Sequence, residues 1–303
     1  MAEIEVDLGK MLADLRTKTR EILNTVPPVQ VEDGELSAAD IPSAAAQKWL
    51  KIPDVVVVVC DLKGSTRLGT GKHTTSTARI YKSAVEGAVR VLHDFGADFI
   101  DIQGDGGFGV FWGARRFERA LCAGVTIRTF SDDWFDELRA KDPSVPETGY
   151  KVGIASGRVL VKYLGTRNPA HDEQEPVWAG KPVNYAAKCA QAADLQQLIV
   201  TDRVWKKFEQ NDYITHSCDC NVETGLKELW VSTEVEALPE DLTDAAMLKV
   251  GWCKVCGSEF CAAILDGKTR RDTVTQAHRE SAMAGMWRAL ELKRAQRAPY
   301  PKR

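Results

Sequence analysis

Val55–Thr66 reads V-V-V-V-V-C-D-L-K-G-S-T. Five successive valines without polar alternation predict a strand buried on both faces, at the centre of a sheet. The strand ends at Asp61, and Gly64-Ser65-Thr66 predicts a tight turn. A second stretch, Phe99–Phe111, reads F-I-D-I-Q-G-D-G-G-F-G-V-F. Its glycines around Asp105 fit a hairpin between strands at Asp98–Gln103 and Gly107–Trp112, because such turns need a positive φ. Each stretch puts a carboxylate where a strand gives way to a turn. Two such carboxylates on neighbouring strands suit a pair of divalent cations that activate a phosphate.

Outward from these strands, helical and extended patterns alternate. Ile80, Val85, Val89 and Leu92 give helical spacing over Thr74–Phe95, and Phe117–Leu138 reads as a second helix. Tyr150–Ala155 and Arg158–Leu164 predict another hairpin, turning at Ser156-Gly157. A helix over Asn184–Ala193, a strand over Leu198–Thr201, a short helix over Val204–Phe208 and a last strand over Glu228–Ser232 follow. The order β-α-β-β-α-β predicts an α+β protein of the ferredoxin-like split arrangement, extended at its C-terminal end. Before it, Met11, Leu12, Leu15, Ile22 and Leu23 mark a helix over residues 5–24, and the acidic, proline-bearing Pro27–Ser43 reads as a linker. After it, Thr233–Asp244 reads as a linker, and a cysteine cluster, a helix over Val274–Gln296 and a basic tail complete the chain. The expected division is 1–48 for the N-terminal helix and linker, 49–232 for the main domain and 233–303 for a C-terminal cysteine module.

Composition excludes several classes. The chain has 303 residues, 44% hydrophobic and 27% charged, with a net charge of -3. These values fit a globular protein with no global nucleic-acid or membrane surface. The longest apolar run, Val55–Cys60, is far below the roughly 18 residues of a membrane span, and the polar, acidic start predicts no secretory signal. A cytoplasmic location is expected. Eight cysteines in a reducing compartment then point to buried thiols or a metal site.

Four motifs in order resemble those of the class III nucleotidyl cyclases over about residues 52–232. They are D-L-K-G-S-T (Asp61–Thr66), Q-G-D-G (Gln103–Gly106), K-V-G-I-A-S-G-R-V (Lys151–Val159) and V-W-A-G-K-P-V-N-Y-A-A-K (Val177–Lys188). The resemblance implies a cyclase homology domain that turns a nucleoside triphosphate into a 3′,5′-cyclic monophosphate and pyrophosphate. Asp61 and Asp105, with Leu62, would hold two Mg²⁺ or Mn²⁺, which acidify the ribose 3′-hydroxyl and stabilise in-line displacement at the α-phosphorus. Backbone amides of the turn that carries Lys63, Gly64, Ser65 and Thr66 would cradle the triphosphate, and Lys151 would contact its terminal phosphates. Asn184 would orient the ribose, and Lys188 would neutralise charge on the α-phosphate. Family members often carry Arg there, which binds in a fork, whereas Lys is a point charge. In the family these last two residues face the aspartates across a subunit boundary, which implies a head-to-tail homodimer with composite sites.

The base-reading positions depart from the purine pattern. Asp101 stands where adenylate cyclases carry Lys, and Val177 where they carry Asp. Adenine needs a donor for N1 and an acceptor for its amine, and this pair is missing. Guanylate cyclases use Glu and a small polar residue. The overall pattern resembles bacterial pyrimidine cyclases of the Pycsar antiphage systems, which implies UTP or CTP as substrate and a downstream effector that responds to the cyclic product. Asp101 could accept from N3–H of uracil or from the amine of cytosine; the preference for UTP rests on likeness. A purine cyclase and a non-catalytic nucleotide sensor are the remaining alternatives.

Among the cysteines, Cys60, Cys122 and Cys189 lie in apolar or helical contexts and read as core thiols. Cys218-Asp219-Cys220 and Cys253-Lys254-Val255-Cys256-Gly257 offer four thiolates, the second pair with the spacing of a zinc knuckle. They fit a structural zinc site, with Cys261 as an alternative ligand, or a reduced apolar module. Cysteine-bearing tails of some antiviral cyclases resemble this spacing, which implies a sensor.

Overall fold

The computed structural model describes residues 6–32, 36–69, 74–168, 171–220 and 225–297. Helix α1 (Leu8–Asn24) starts at Asp7, whose carboxylate accepts the Lys10 amide at 3.0 Å; the start of the expected helix, at residue 5, lies outside the described residues. β1 (Val29–Val31) pairs in parallel with Trp49–Lys51 of β2 (Trp49–Lys63). The stretch Pro27–Ser43, expected as a linker, therefore contributes a strand. The antiparallel neighbour of β2 on that edge covers it only from Val56 onward, and V-Q-V fills part of the edge left open.

β2 is the buried central strand its valines predict, with Val55–Val58 all at 0% exposure. Val56, Val58, Cys60 and Leu62 face one core and Val55 and Val57 the other, as the two-residue period of a strand requires. After the short α2 (Ser65–Leu68), helix α3 (Thr74–Asp94) buries Ile80, Ala84, Ala88 and Leu92, one residue per turn. β3 (Phe99–Gln103) and β4 (Gly106–Phe111) form the predicted hairpin, and α4 (Arg116–Lys141) packs beside α3 on the first core.

The hairpin expected to turn at Ser156-Gly157 is instead one long strand, β5 (Gly149–Asn168). Ser156 and Gly157 stay in register with Val56 and Val55 of β2, and a bulge between Ile52 and Val55 takes up the irregularity. The partner of β5 is β6 (His171–Gly180), which runs back along it to Val159. Helix α5 (Lys181–Ala192) then lies on β5. Gly153 permits this contact: a Cβ there would stand 2.0 Å from the Ala186 carbonyl oxygen.

β7 (Leu198–Thr201) adds to β5 in parallel, followed by the one-turn helices α6 (Asp202–Trp205) and α7 (Asp212–Thr215). The sheet does not end with the next strand, β8 (Trp230–Glu234). β9 (Asp244–Leu248) inserts between β7 and β8, so the expected linker over Thr233–Asp244 is the connection of an edge hairpin that crosses residue 232. The order is β3-β4-β2-β5-β7-β9-β8; its first four strands are the ferredoxin-like core, and the rest are the C-terminal extension.

Helices α8 (Gly257–Leu265) and α9 (Gln276–Arg297) complete the described chain. Part of the basic tail turns inward. Asp212, 1% exposed, accepts Nε and Nη2 of Arg279 at 2.9 and 2.7 Å and the Arg271 amide at 2.9 Å. A buried carboxylate needs such forked, charge-assisted partners. No helix among the described residues is long and apolar enough to cross a membrane.

Candidate active site

Asp61 lies near the end of β2, and the register Cys60↔Gly107 carries the β3–β4 turn alongside it. The approach is close: a Cβ on Gly106 would meet the Cys60 carbonyl oxygen at 2.4 Å and the Asp61 Cα at 3.2 Å. Only glycine lets the two backbones come so near, and the result brings the turn that carries Asp105 alongside the strand end that carries Asp61. Tyr150, on β5, senses both. Its phenol is pushed up by burial, then by Cys60 and the charges of Asp105 and Asp61, and its hydroxyl makes no hydrogen bond among the described residues.

Lys151 pairs with Asp61 across β2 and β5, and its Nζ stands 2.7 Å from Asp61 Oδ2. This is the residue expected on the terminal phosphates, and here it neutralises the first carboxylate. Lys63, expected in the phosphate cradle, is salt-bridged to Asp194 just beyond α5. Sequence reasoning missed Asp194, because nothing local marks it; only the return of α5 along β5 brings it here. Gly64 adopts the left-handed conformation, φ 72°, and turns the chain into Ser65–Leu68. The Arg67 guanidinium lies over that glycine, 3.1 Å from where a Cβ would be. Arg67 is a second missed residue, legible only as a basic position directly after the motif.

The carboxylates of Asp61 and Asp105, carried by strand ends that the Gly106 contact brings together, are hard oxygen donors of the kind that fits Mg²⁺ or Mn²⁺. The buried Cys60 lies on the opposite face of β2, where burial raises its thiol to about 12, so it does not compete for these cations.

Asn184 and Lys188 occupy a different place. They line a shallow depression of about 620 Å³ on α5, with Lys181, Tyr185 and Gln191. None of Asp61, Asp105 and Lys151 lines it. Lys188 Nζ lies 5.9 Å from the Tyr185 ring centroid. Asp101, on β3, accepts from Gln103 Nε2 through one oxygen at 3.0 Å, and Val177, on β6, is 40% exposed. Trp178, one residue on, packs against Phe99 of β3 with centroids 5.1 Å apart. The strands carrying the two base-reading positions therefore meet, while Val177 and Trp178 alternate sides.

The four cysteines of the predicted cluster, Cys218, Cys220, Cys253 and Cys256, converge with all sulfurs within 4.8 Å of one another. The backbone N–H groups of Cys256 and then Val255 bring the Cys253 thiol down to about 6, the effect of a knuckle whose amides point at sulfur. Cys261, the alternative ligand, is not part of it. It faces Cys122 on α4 in a thiol–thiol contact, because helix α8 turns it toward the first core.

No family model matches the chain. Curated proteins do. It is 54% identical over 296 residues to the uridylate cyclase of Propioniciclava tarda, covering 97% of this chain and 96% of that protein. It is 44% identical over 283 residues to the uridylate cyclase of Micromonospora echinofusca, covering 92% and 91%. Among solved structures, the adenylyl cyclase CyaB from P. aeruginosa superposes with a TM-score of 0.53 at 14% identity, covering 67% of this chain and 97% of that one. The guanylyl cyclase Cya2 gives 0.51 at 14% identity, covering 68% and 95%. The structures share the fold, the curated relatives align over nearly the whole length of the chain, and the chain belongs to the uridylate cyclase family of class III nucleotidyl cyclases.

Proposed function

We propose that the protein converts UTP to 3′,5′-cyclic UMP and pyrophosphate. The observation that supports the reaction is the close backbone approach at Gly106, which brings the turn carrying Asp105 alongside the strand end carrying Asp61. The choice of uracil is supported by the two curated relatives named as uridylate cyclases. A bound cation pair supplies Lewis-acid activation of the ribose 3′-hydroxyl and of the α-phosphate. The chain's residues do the rest. Asp61 and Asp105 hold the cations, with the Leu62 backbone beside them. Lys151 leaves Asp61 for the terminal phosphates, so one ammonium serves two anions in turn. Amides at Gly64–Thr66 bind the triphosphate. Asn184 orients the ribose and Lys188 neutralises the α-phosphate as the 3′-oxygen, its proton released to water, bonds to phosphorus and the bond to pyrophosphate breaks. Asp101, held by Gln103 through one oxygen, offers the other to uracil N3–H, and Val177 gives an apolar contact. Incubation with all four nucleoside triphosphates and Mn²⁺ should yield cyclic UMP alone by mass spectrometry. Cyclic CMP as the main product would favour the cytidylate reading, since the same acceptor suits the cytosine amine.

The active unit is a homodimer in this reading. Asn184 and Lys188 sit in a depression of their own, and a second chain is needed to bring them to the aspartates. Helix α1 supports the dimer: Leu8, Met11, Leu12, Leu15, Ile22 and Leu23 are 43–78% exposed, an apolar surface that a partner would cover. Mixing Asp61→Asn with Asn184→Ala chains, each inactive alone, should restore roughly a quarter of wild-type turnover through exchanged dimers with one intact site. No recovery after exchange would place both halves of the site in one chain.

The four converged cysteines hold a structural zinc, since four thiolates close a tetrahedron around a borderline-soft cation. The cyclic nucleotide is the signal, acting in the cytoplasm on a separate effector in antiphage defence, and the cysteine cluster with α8 and α9 is the sensor.

A further inference from the structure

β5 has an unusual edge. β2 follows one side of it from Gly149 to Val161. On the other side two strands share the edge: β7 over Val152–Ile154 and β6 from Val159 onward. Between them, at Ser156–Arg158, no strand among the described residues covers β5. The gap opens into a cavity of about 1030 Å³ beneath the start of α5, large enough for a drug-sized molecule.

Its lining has two characters. Val31, Pro53, Leu160 and Leu242 make it largely apolar. Lys51, Arg158 and Lys181 add three cations that form no ion pair among the described residues. The other charges are mostly engaged: Arg203 with Asp54 at 3.1 Å, Asp202 with Lys206 at 2.5 Å, and Asp244 with partners of its own. Asp241 is the one further acid on the wall. Two independent features point to an absent ligand. Thr201, 7% exposed, is one of the lining residues, and its buried hydroxyl has no hydrogen-bond partner among the described residues. The 12-residue α5 also begins here, at Gly180, without a side-chain cap on its amide groups. An uncapped helix start attracts negative charge, and a buried hydroxyl left unpaired costs stability until something bonds it.

We propose that this cavity is a second ligand site, for a small organic anion with an aromatic or alicyclic body, and that it acts on catalysis through α5. The apolar walls take the body. Arg158, Lys181 and the amides at the start of α5 take the anionic group, and Thr201 donates a hydrogen bond. Gly180, Lys181 and Tyr185 also line the depression that holds Asn184 and Lys188, and the Tyr185 ring faces Lys188. An occupant touching Tyr185 therefore bears on the cation assigned to the α-phosphate. This coupling rests on the catalytic reading above; the binding does not.

The test uses 1-anilinonaphthalene-8-sulfonate, an aromatic anion, against the neutral N-phenyl-1-naphthylamine, with the full-length protein. Fluorescence titration should show one saturable site that prefers the sulfonate by about tenfold, the worth of a charge-assisted hydrogen bond. Arg158→Glu should abolish that preference. Thr201→Val should weaken sulfonate binding about threefold while the melting temperature stays level or rises, because the unpaired hydroxyl is gone. Equal affinity for both probes, or variants that bind as the wild type does, would overturn the site. Saturating sulfonate should change kcat or KM for UTP at least twofold in the wild type and not in Arg158→Glu. Unchanged kinetics with intact binding would overturn the coupling alone. The fluorescence arm needs no turnover, so it stands or falls separately from the cyclase reading.

Discussion

Asp61→Asn is expected to lower cyclic UMP formation by about three orders of magnitude, equivalent to about 4 kcal/mol of transition-state stabilisation. Asparagine keeps the shape and removes the charge that holds a hard cation. Asp105→Asn should do the same, because Gly106 brings the two strand ends that carry these aspartates together and neither alone can seat a cation pair. The fold should survive both changes. Asp61 is 45% exposed on its side chain, and its removal frees Lys151, whose flexible stem can carry the ammonium toward solvent. Product quantification by mass spectrometry, beside a thermal melt of each variant, checks both halves. Turnover within tenfold of wild type in either folded variant would sink the assignment of these carboxylates.

The second large effect is on stability. The protein is expected to carry one zinc per chain, measured by plasma mass spectrometry, and to lose it on Cys253→Ser or Cys256→Ser. Structural zinc binding is worth about 10 kcal/mol or more in small modules. Even a part of that, lost from a chain of this size, lowers the melting temperature by on the order of 10 °C. The site joins Cys218 and Cys220, beyond α7, to the knuckle before α8, so its loss should loosen α8 and α9 first. Cys261→Ser is the control and should keep its zinc, since Cys261 lies against Cys122. Metal-free protein with an unchanged melt would leave the four thiols as a reduced cluster.

Strands, helices and motifs were legible where the signal is local. The valine run needs no partner to show that it is buried, and Gly-Asp-Gly needs none to show a turn. The failures share a cause. Ser156-Gly157 carries turn chemistry, yet β2 pairs with it directly and holds it extended; the pairing outweighs the local preference. Val29–Val31 and Asp244–Leu248 are short and were masked by acidic neighbours. Each becomes a strand only because a sheet edge is available to it. Cys261 shares the spacing of a ligand but sits on a helix that turns it toward α4.

The same division holds for the chemistry. The sequence carried the reaction class through the motifs it shares with the cyclases, the two carboxylate turns and the Asn184–Lys188 stretch, and the expectation against adenine rested on Asp101 and Val177. Tertiary structure alone decided that Lys151 neutralises Asp61 and that Asp194 takes Lys63. It also decided that β6 and β7 leave a gap on β5. Salt bridges and cavities depend on which strands become neighbours, and that follows from burying the whole apolar surface at once rather than from any one segment.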